Sequence, residues 1–189
     1  MAVLIGIFGA AGRLFAPKFV KAVIGVYVEI VRGTPQILQL FIIFFGFTQY
    51  GINLSPFTSA AVGLVVYGGV YAIETFRAGI ISVQKDQREA AQALGLGPYK
   101  TLRHVILPQA IGVIIPSLVT FLILQLKSSS LAFTVGAPDI MRNAELGSNA
   151  TSHAGILYLM AAILYLLLNM ILSLLGRKLE KRVALSDAP

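Results

Sequence analysis

The chain has 189 residues, 57% of them hydrophobic and only 12% charged, with a net charge of +7 and no cysteine. So little charge excludes an ordinary soluble domain, in which about a quarter of residues are charged. The missing cysteines exclude a disulfide framework and thiol-based metal or redox chemistry. A positive charge of this size suits nucleic acid or an anionic membrane surface; the membrane is favoured, because the basic residues flank apolar runs instead of covering one polar face.

A membrane-crossing helix needs about 20 apolar residues. In chain order the apolar runs are 1–15, 35–50, 56–81, 111–135 and 155–175. The first is short, without a basic leader or a small-residue cleavage site, and is expected to be the second half of a truncated span. The second is also short and follows a separate apolar stretch, 22–31. Thr34-Pro35 and Ser55-Pro56 each place a capping side chain before a first-turn proline. Run 111–135 is interrupted by Pro116 and Lys127, and 155–175 is the cleanest. The expected fold is therefore an all-α membrane protein of about five spans, forming a single domain over 1–189 with one internal loop, about 82–109.

Lys and Arg set the orientation. With the N-terminus outside, the inside segments 12–35, 82–109 and 176–189 hold twelve of the fifteen basic residues, and the outside segments hold only Arg142. The C-terminus then lies in the cytosol.

The loop is expected to be an ordered elbow. Asp86-Gln-Arg-Glu89 has the form of a capping box, the following helix is alanine-rich, and Gly95 and Gly97 end it. Pro98 starts a second helix with an apolar stripe of Tyr99, Leu102 and Ile106, which Pro108 is expected to break. Local physics leaves two readings open: a helix that fills a groove on another protein, or an amphipathic helix on the membrane surface.

Polar residues inside the spans cost about 2.5–3.5 kcal/mol each on insertion scales, so each needs a reason. Glu74 and Arg77 stand three apart and can pair, either anchoring their helix or meeting a substrate. Tyr67, Tyr71 and Glu74 make one polar-tipped stripe, and Gly68-Gly69 permits close helix approach. Thr120, Lys127 and Ser128 share a face and either line a substrate route, with Lys127 facing a carboxylate, or lock helices together. His104 and His153 are too far apart in sequence to suggest a metal site, and no metal ligands or catalytic residues are expected.

The sequence resembles a known family at this point. Glu89-Ala90-Ala91, then Gly95, then Val105-x-Leu107-Pro108 is similar to the EAA loop of ABC importer permeases, with Val105 where isoleucine is usual. Residues 27–35 (Tyr-Val-Glu-Ile-Val-Arg-Gly-Thr-Pro), Glu74-Thr-Phe-Arg77-Ala-Gly79 and Lys127-Ser-Ser-Ser-Leu131 resemble segments of the polar amino acid branch, in the same order. The resemblance runs from Tyr27 to the C-terminus.

It implies a type I ABC importer fold in the bacterial inner membrane, working by alternating access. The substrate is a polar amino acid, with residues 129–136 resembling cystine permeases. The implied partners are two ABC ATPase subunits, a second permease subunit (identical or related) and an extracytoplasmic solute-binding protein. Glu89, Ala90, Ala91, Leu94, Gly95, Leu107 and Pro108 would make the ATPase contact; Tyr67, Tyr71, Glu74, Thr120, Lys127 and Ser128 would line the pathway. The chain has no G-x-x-x-x-G-K-[ST] phosphate loop, so ATP and Mg are expected on the partner and no cofactor or enzymatic activity on this chain. The alternative is an ion-gradient-driven secondary transporter or a channel subunit, against which the elbow and the lack of an inverted repeat argue.

Overall fold

The computed structural model describes residues 1–186, and all regular structure among them is helical. Nine α-helices follow in chain order: α1 (Ala2–Phe15), α2 (Lys18–Gly33), α3 (Gln36–Phe41), α4 (Pro56–Ser82), α5 (Lys85–Ala93), α6 (Pro98–Thr101), α7 (Leu107–Ser128), α8 (Ile140–Thr151) and α9 (Ala154–Ser186). Residues 187–189 of the basic C-terminal segment lie outside the described residues.

Three helical units are long and apolar enough to cross a bilayer: α4, the continuous run Pro98–Val135, and α9. A bent helix pair is long and apolar enough only when its two halves are taken together. Run 35–50 does not stand alone but joins α2 through a 106° corner. Thr34 does not cap the helix that follows; it ends α2, donating its hydroxyl to the Ile30 carbonyl at 2.8 Å. Gln39 then holds the corner, its amide donating to the Val31 carbonyl at 2.8 Å, the Thr34 carbonyl at 3.1 Å and the Thr34 hydroxyl at 2.8 Å. A corner in hydrocarbon needs such partners, because no water is there to take the freed carbonyls. At α1 the apolar helix is 14 residues long, about 21 Å at 1.5 Å per residue.

Ser55 fulfils its expected role, accepting a bond from the Thr58 amide at 3.1 Å with Pro56 in the first turn of α4. The two helices α1 and α4 run side by side in the same direction: Ala2 packs at Gly68, Ile5 at Gly69, Gly6 at Ala72 and Gly9 at Ile73. The approach is close enough that a methyl group on Gly69 would come within 2.8 Å of Ile5 Cγ2, so Gly68-Gly69 is the contact surface its small size suggested. Val28 and Val31 of α2 pack on Val70 and Ile73 of α4 to form one buried cluster. Gln125 ties α7 to α4 by donating to the Leu64 carbonyl at 2.7 Å.

Pro108 does not break the helix it lies in. Residues Leu102–Ile106 widen into a π-turn, and the chain continues as helix through Ser128. A π-turn re-spaces the carbonyls ahead of a residue that has no N–H to offer. Gln109 takes up one of them, donating to Val105 O at 3.0 Å. After Ser128 the helix tightens into a 3₁₀ segment, Ser129–Val135, ending at Gly136 in the left-handed region. The helix α8, not foreseen in the sequence, follows; Asp139 caps it at the Met141 amide and accepts the Tyr165 hydroxyl of α9 at 2.6 Å.

Candidate functional site

Two places combine exposure with ordered polar groups: the elbow between α4 and α7, and a cleft just beside it.

The elbow is built differently from the capping-box expectation. Its first helix starts at Lys85, so Asp86 lies inside the first turn and makes no side-chain cap. Glu89 pairs instead with Lys85 at 2.8 Å, on the exposed face. The helix ends as expected: Gly95 adopts φ +74°, and the amides of Gly95 and Leu96 close back onto Gln92 O and Ala91 O at 2.9 and 3.0 Å. Glycine takes this conformation without the Cβ penalty. Pro98 opens α6 as foreseen.

The two alanines of the motif meet different surroundings, one buried and one exposed. Ala91 is 3% exposed and packs within this chain, whereas Ala90 is exposed and Leu94 is 81% exposed. Leu94 and Tyr99, the latter 69% exposed, stand as large apolar groups at the tip. Leu107 is half-buried and Pro108 exposed.

Arg88, which the sequence reading passed over, fixes the elbow to the bundle. Its guanidinium donates to the Ile80 carbonyl of α4 at 2.7 Å. Ser82 takes the neighbouring Gly79 carbonyl at 2.8 Å. The terminal carbonyls of α4, which a helix leaves unsatisfied, are thus bonded by its own last residue and by the first helix of the elbow. Gln109 adds a weaker cross-link to Gln87 at 3.4 Å.

The cleft has a volume of about 320 Å³ and is lined by Arg32, Tyr71, Glu74, Thr75, Ala78, Gly79, Val113 and Ser117. The expected Glu74–Arg77 pair is present in bidentate form, with Arg77 Nη2 at 2.8 Å from Oε2 and Nε at 3.2 Å from both oxygens. Tyr67 donates to the Tyr71 hydroxyl at 3.0 Å, and Tyr71 stacks on Phe121 of α7 with ring centroids 6.0 Å apart. The stripe Tyr67, Tyr71, Glu74 is therefore one connected surface, of which Tyr71 and Glu74 reach the cleft.

The second group of expected pathway residues lies elsewhere. Thr120 and Lys127 are exposed on α7, and Lys127 makes no salt bridge among the described residues. Ser128 is half-buried against Leu40, Gly63 and Leu131. Arg32, Thr75 and Ser117 are the cleft residues that sequence reasoning missed. Arg32 comes from a distant segment, and only the fold of α2 back onto α4 brings it there.

A family model described as binding-protein-dependent transport system inner membrane component matches residues 2–185. The L-cystine transport system permease protein TcyB of Bacillus subtilis is 37% identical over 95% of this chain and 77% of its own length. The glutamine transport system permease protein GlnP of Escherichia coli is 31% identical, over 95% and 83%. Among solved structures, an amino acid ABC transporter crystallised with histidines superposes with a TM-score of 0.91 at 35% identity, covering 96% of this chain and 85% of that one. An inward-facing form of the MetNI methionine ABC transporter gives 0.75 at 20% identity, covering 97% and 86%; at that identity it speaks for the fold alone.

Proposed function

The chain belongs to the binding-protein-dependent transport system inner membrane component family, as an ABC importer permease of the polar amino acid branch, and on that premise we propose how it works. It is the translocating subunit of an ATP-driven importer, moving a polar amino acid handed over by an extracytoplasmic binding protein. The likeness to TcyB favours cystine. ATP and Mg bind the partner ATPase, and two permease subunits, identical or related, form the pathway between them. The N-terminus faces outward and the elbow and C-terminus face the cytosol, in keeping with the basic residues gathered in segments 12–35, 82–109 and 176–189.

One observation carries this reading: a two-helix elbow closed by the Gly95 turn joins two spans, displays Ala90 and Leu94, and is bonded to α4 through Arg88. In the family resemblance this is the element an ATPase grips. ATP binding closes the ATPase pair, and the elbow carries that motion to α4 through Arg88 and to α7 along one unbroken helix. The small outward residue is Ala90, so Ala90, Leu94 and the Gly95 turn make the contact, while Ala91 seats the helix on its own subunit. Glu89 acts by its pairing with Lys85.

The test is uptake into proteoliposomes holding this chain, its ATPase and the binding protein, with radiolabelled cystine, glutamine, arginine and histidine. Uptake that requires internal ATP supports the reading; uptake driven by an ion gradient without ATP overturns it. Gly95→Asp should leave the protein in the membrane and ATP hydrolysis running while uptake fails; full coupling would contradict the docking role. Lys127 is proposed to line the outer part of the route, and normal uptake by an assembled Lys127→Ala variant would remove it from the pathway.

A further inference from the structure

Of the ionic groups on the cleft wall, Glu74 is hydrogen-bonded and Arg32 is not. The Glu74 carboxylate is held on both oxygens by Arg77, its neighbour one turn along the same helix. Arg32 feels the same carboxylate through space without bonding to it. Arg32, which enters the same cleft from the end of α2, is exposed and makes no hydrogen bond or ion pair among the described residues. The facing wall carries hydroxyls at Tyr71, Thr75 and Ser117 and only small side chains at Ala78 and Val113, with Gly79 between. At about 320 Å³ the cleft falls in the range of small-molecule sites, about 300–1,000 Å³.

A guanidinium whose N–H donors have no partner, in a hydroxyl-lined cleft, is matched by a carboxylate, which it meets with two parallel N–H bonds. We propose that this cleft is a binding station for the transported amino acid at the elbow end of the pathway, with Arg32 receiving its α-carboxylate. The proposal rests on the import reading above. The station is common to amino acids of different side chain, because it reads the group they share. It also lies against Gly79 and one residue from Ile80, whose carbonyl holds Arg88 of the elbow. The station and the elbow therefore share one stretch of α4.

The chain has no cysteine, so a single thiol reports on the cleft without background from this subunit. Ala78 lines the cleft and is exposed. In the assembled permease–ATPase complex carrying Ala78→Cys, the rate of N-ethylmaleimide modification is read from the mass of this chain. The ligands are L-glutamine, L-arginine, L-histidine and L-cystathionine, the last a thioether stand-in for cystine that cannot exchange with the thiol. Each is paired with its α-amide, and sulfate tests for a plain anion site.

At least one amino acid is expected to slow labelling severalfold, while its α-amide and sulfate do not. Arg32→Gln should abolish that protection and Arg32→Lys should keep part of it. Protection by the α-amides or by sulfate to the same degree, protection surviving in Arg32→Gln, or no protection by any of the four amino acids would each overturn the assignment. If Arg32→Gln does not assemble with the ATPase, the α-amide comparison in the Arg32 parent decides. ATP-driven uptake by the unaltered complex is measured in parallel: its absence counts against the import reading, whereas uptake without protection counts against the cleft alone.

Discussion

The helices α4 and α9 are both long, both apolar and both long enough to cross a bilayer, yet they are different materials. In α4, nine residues are buried, among them four glycines, Gly63, Gly68, Gly69 and Gly79, and the helix carries Glu74 and Arg77 as well. In α9, Ala161 and Gly176 are the buried positions among the described residues, and leucines stand outward along most of its length. Mean hydropathy passes both as spans, at 1.5 for α4 and 2.3 for α9, and so does not say which of them faces protein. What separates them is size: a helix that must admit neighbours carries small residues, and one that faces acyl chains carries large ones.

The contrast can be broken most directly at its glycines. Gly69→Leu drives a side chain into Ile5, and overpacking of this kind costs about 1–3 kcal/mol and at times more. The expected result is loss of a monodisperse peak on size-exclusion chromatography in detergent. Gly155→Leu, at the start of α9 where nothing lies within 4 Å, should elute like the parent. If both variants behave alike, the division between the helices is wrong.

Next in size is the charge pair. Glu74→Gln leaves Arg77 without its bidentate partner, and hydrogen bonds to charged groups are worth about 1.5–3 kcal/mol. A lowered thermal unfolding midpoint of the purified protein is expected, with Glu74→Asp intermediate. Smaller again is Gln125→Leu, which removes the bond to Leu64 O; measured interhelical bonds in membranes average about 0.6 kcal/mol and reach about 1.7. It should lower the midpoint slightly. Smallest is Leu166→Ile on the outward face of α9, expected within about 0.5 kcal/mol of the parent by the same melting curve.

Local signals in the sequence were legible where one residue decides the backbone. Ser55 with Pro56, Gly95 and Pro98 all mark the ends they were expected to mark, because a cap, a positive φ and a fixed φ are properties of single residues. Readings failed where a residue's role depends on what its neighbours supply. Thr34 turned inward to its own helix because Gln39 was available to hold the corner. Asp86 lost its capping place because the helix starts at Lys85, which takes Glu89. Pro108 was absorbed by a π-turn that no propensity scale registers. The Glu74–Arg77 pair was readable from its spacing; Arg32 beside it was not, since 41 residues and a 106° corner intervene between Arg32 and Glu74.

The unbroken run Pro98–Val135 has a mechanical meaning. Its 38 residues extend about 57 Å at the α-helical rise, more than a bilayer's hydrocarbon is thick, so this one rod begins at the tip of the elbow and ends on the far side of the bundle. A rod of that kind needs no relay of loops to carry displacement from one surface to the other. Two joints interrupt its ladder: the wide turn ahead of Pro108, set below the level of Val113 and Ser117, and Pro116, which offers no N–H inside α7. Force applied at the elbow therefore meets a first point of give before it reaches the cleft, and a second at Pro116, next to Ser117 of the cleft wall.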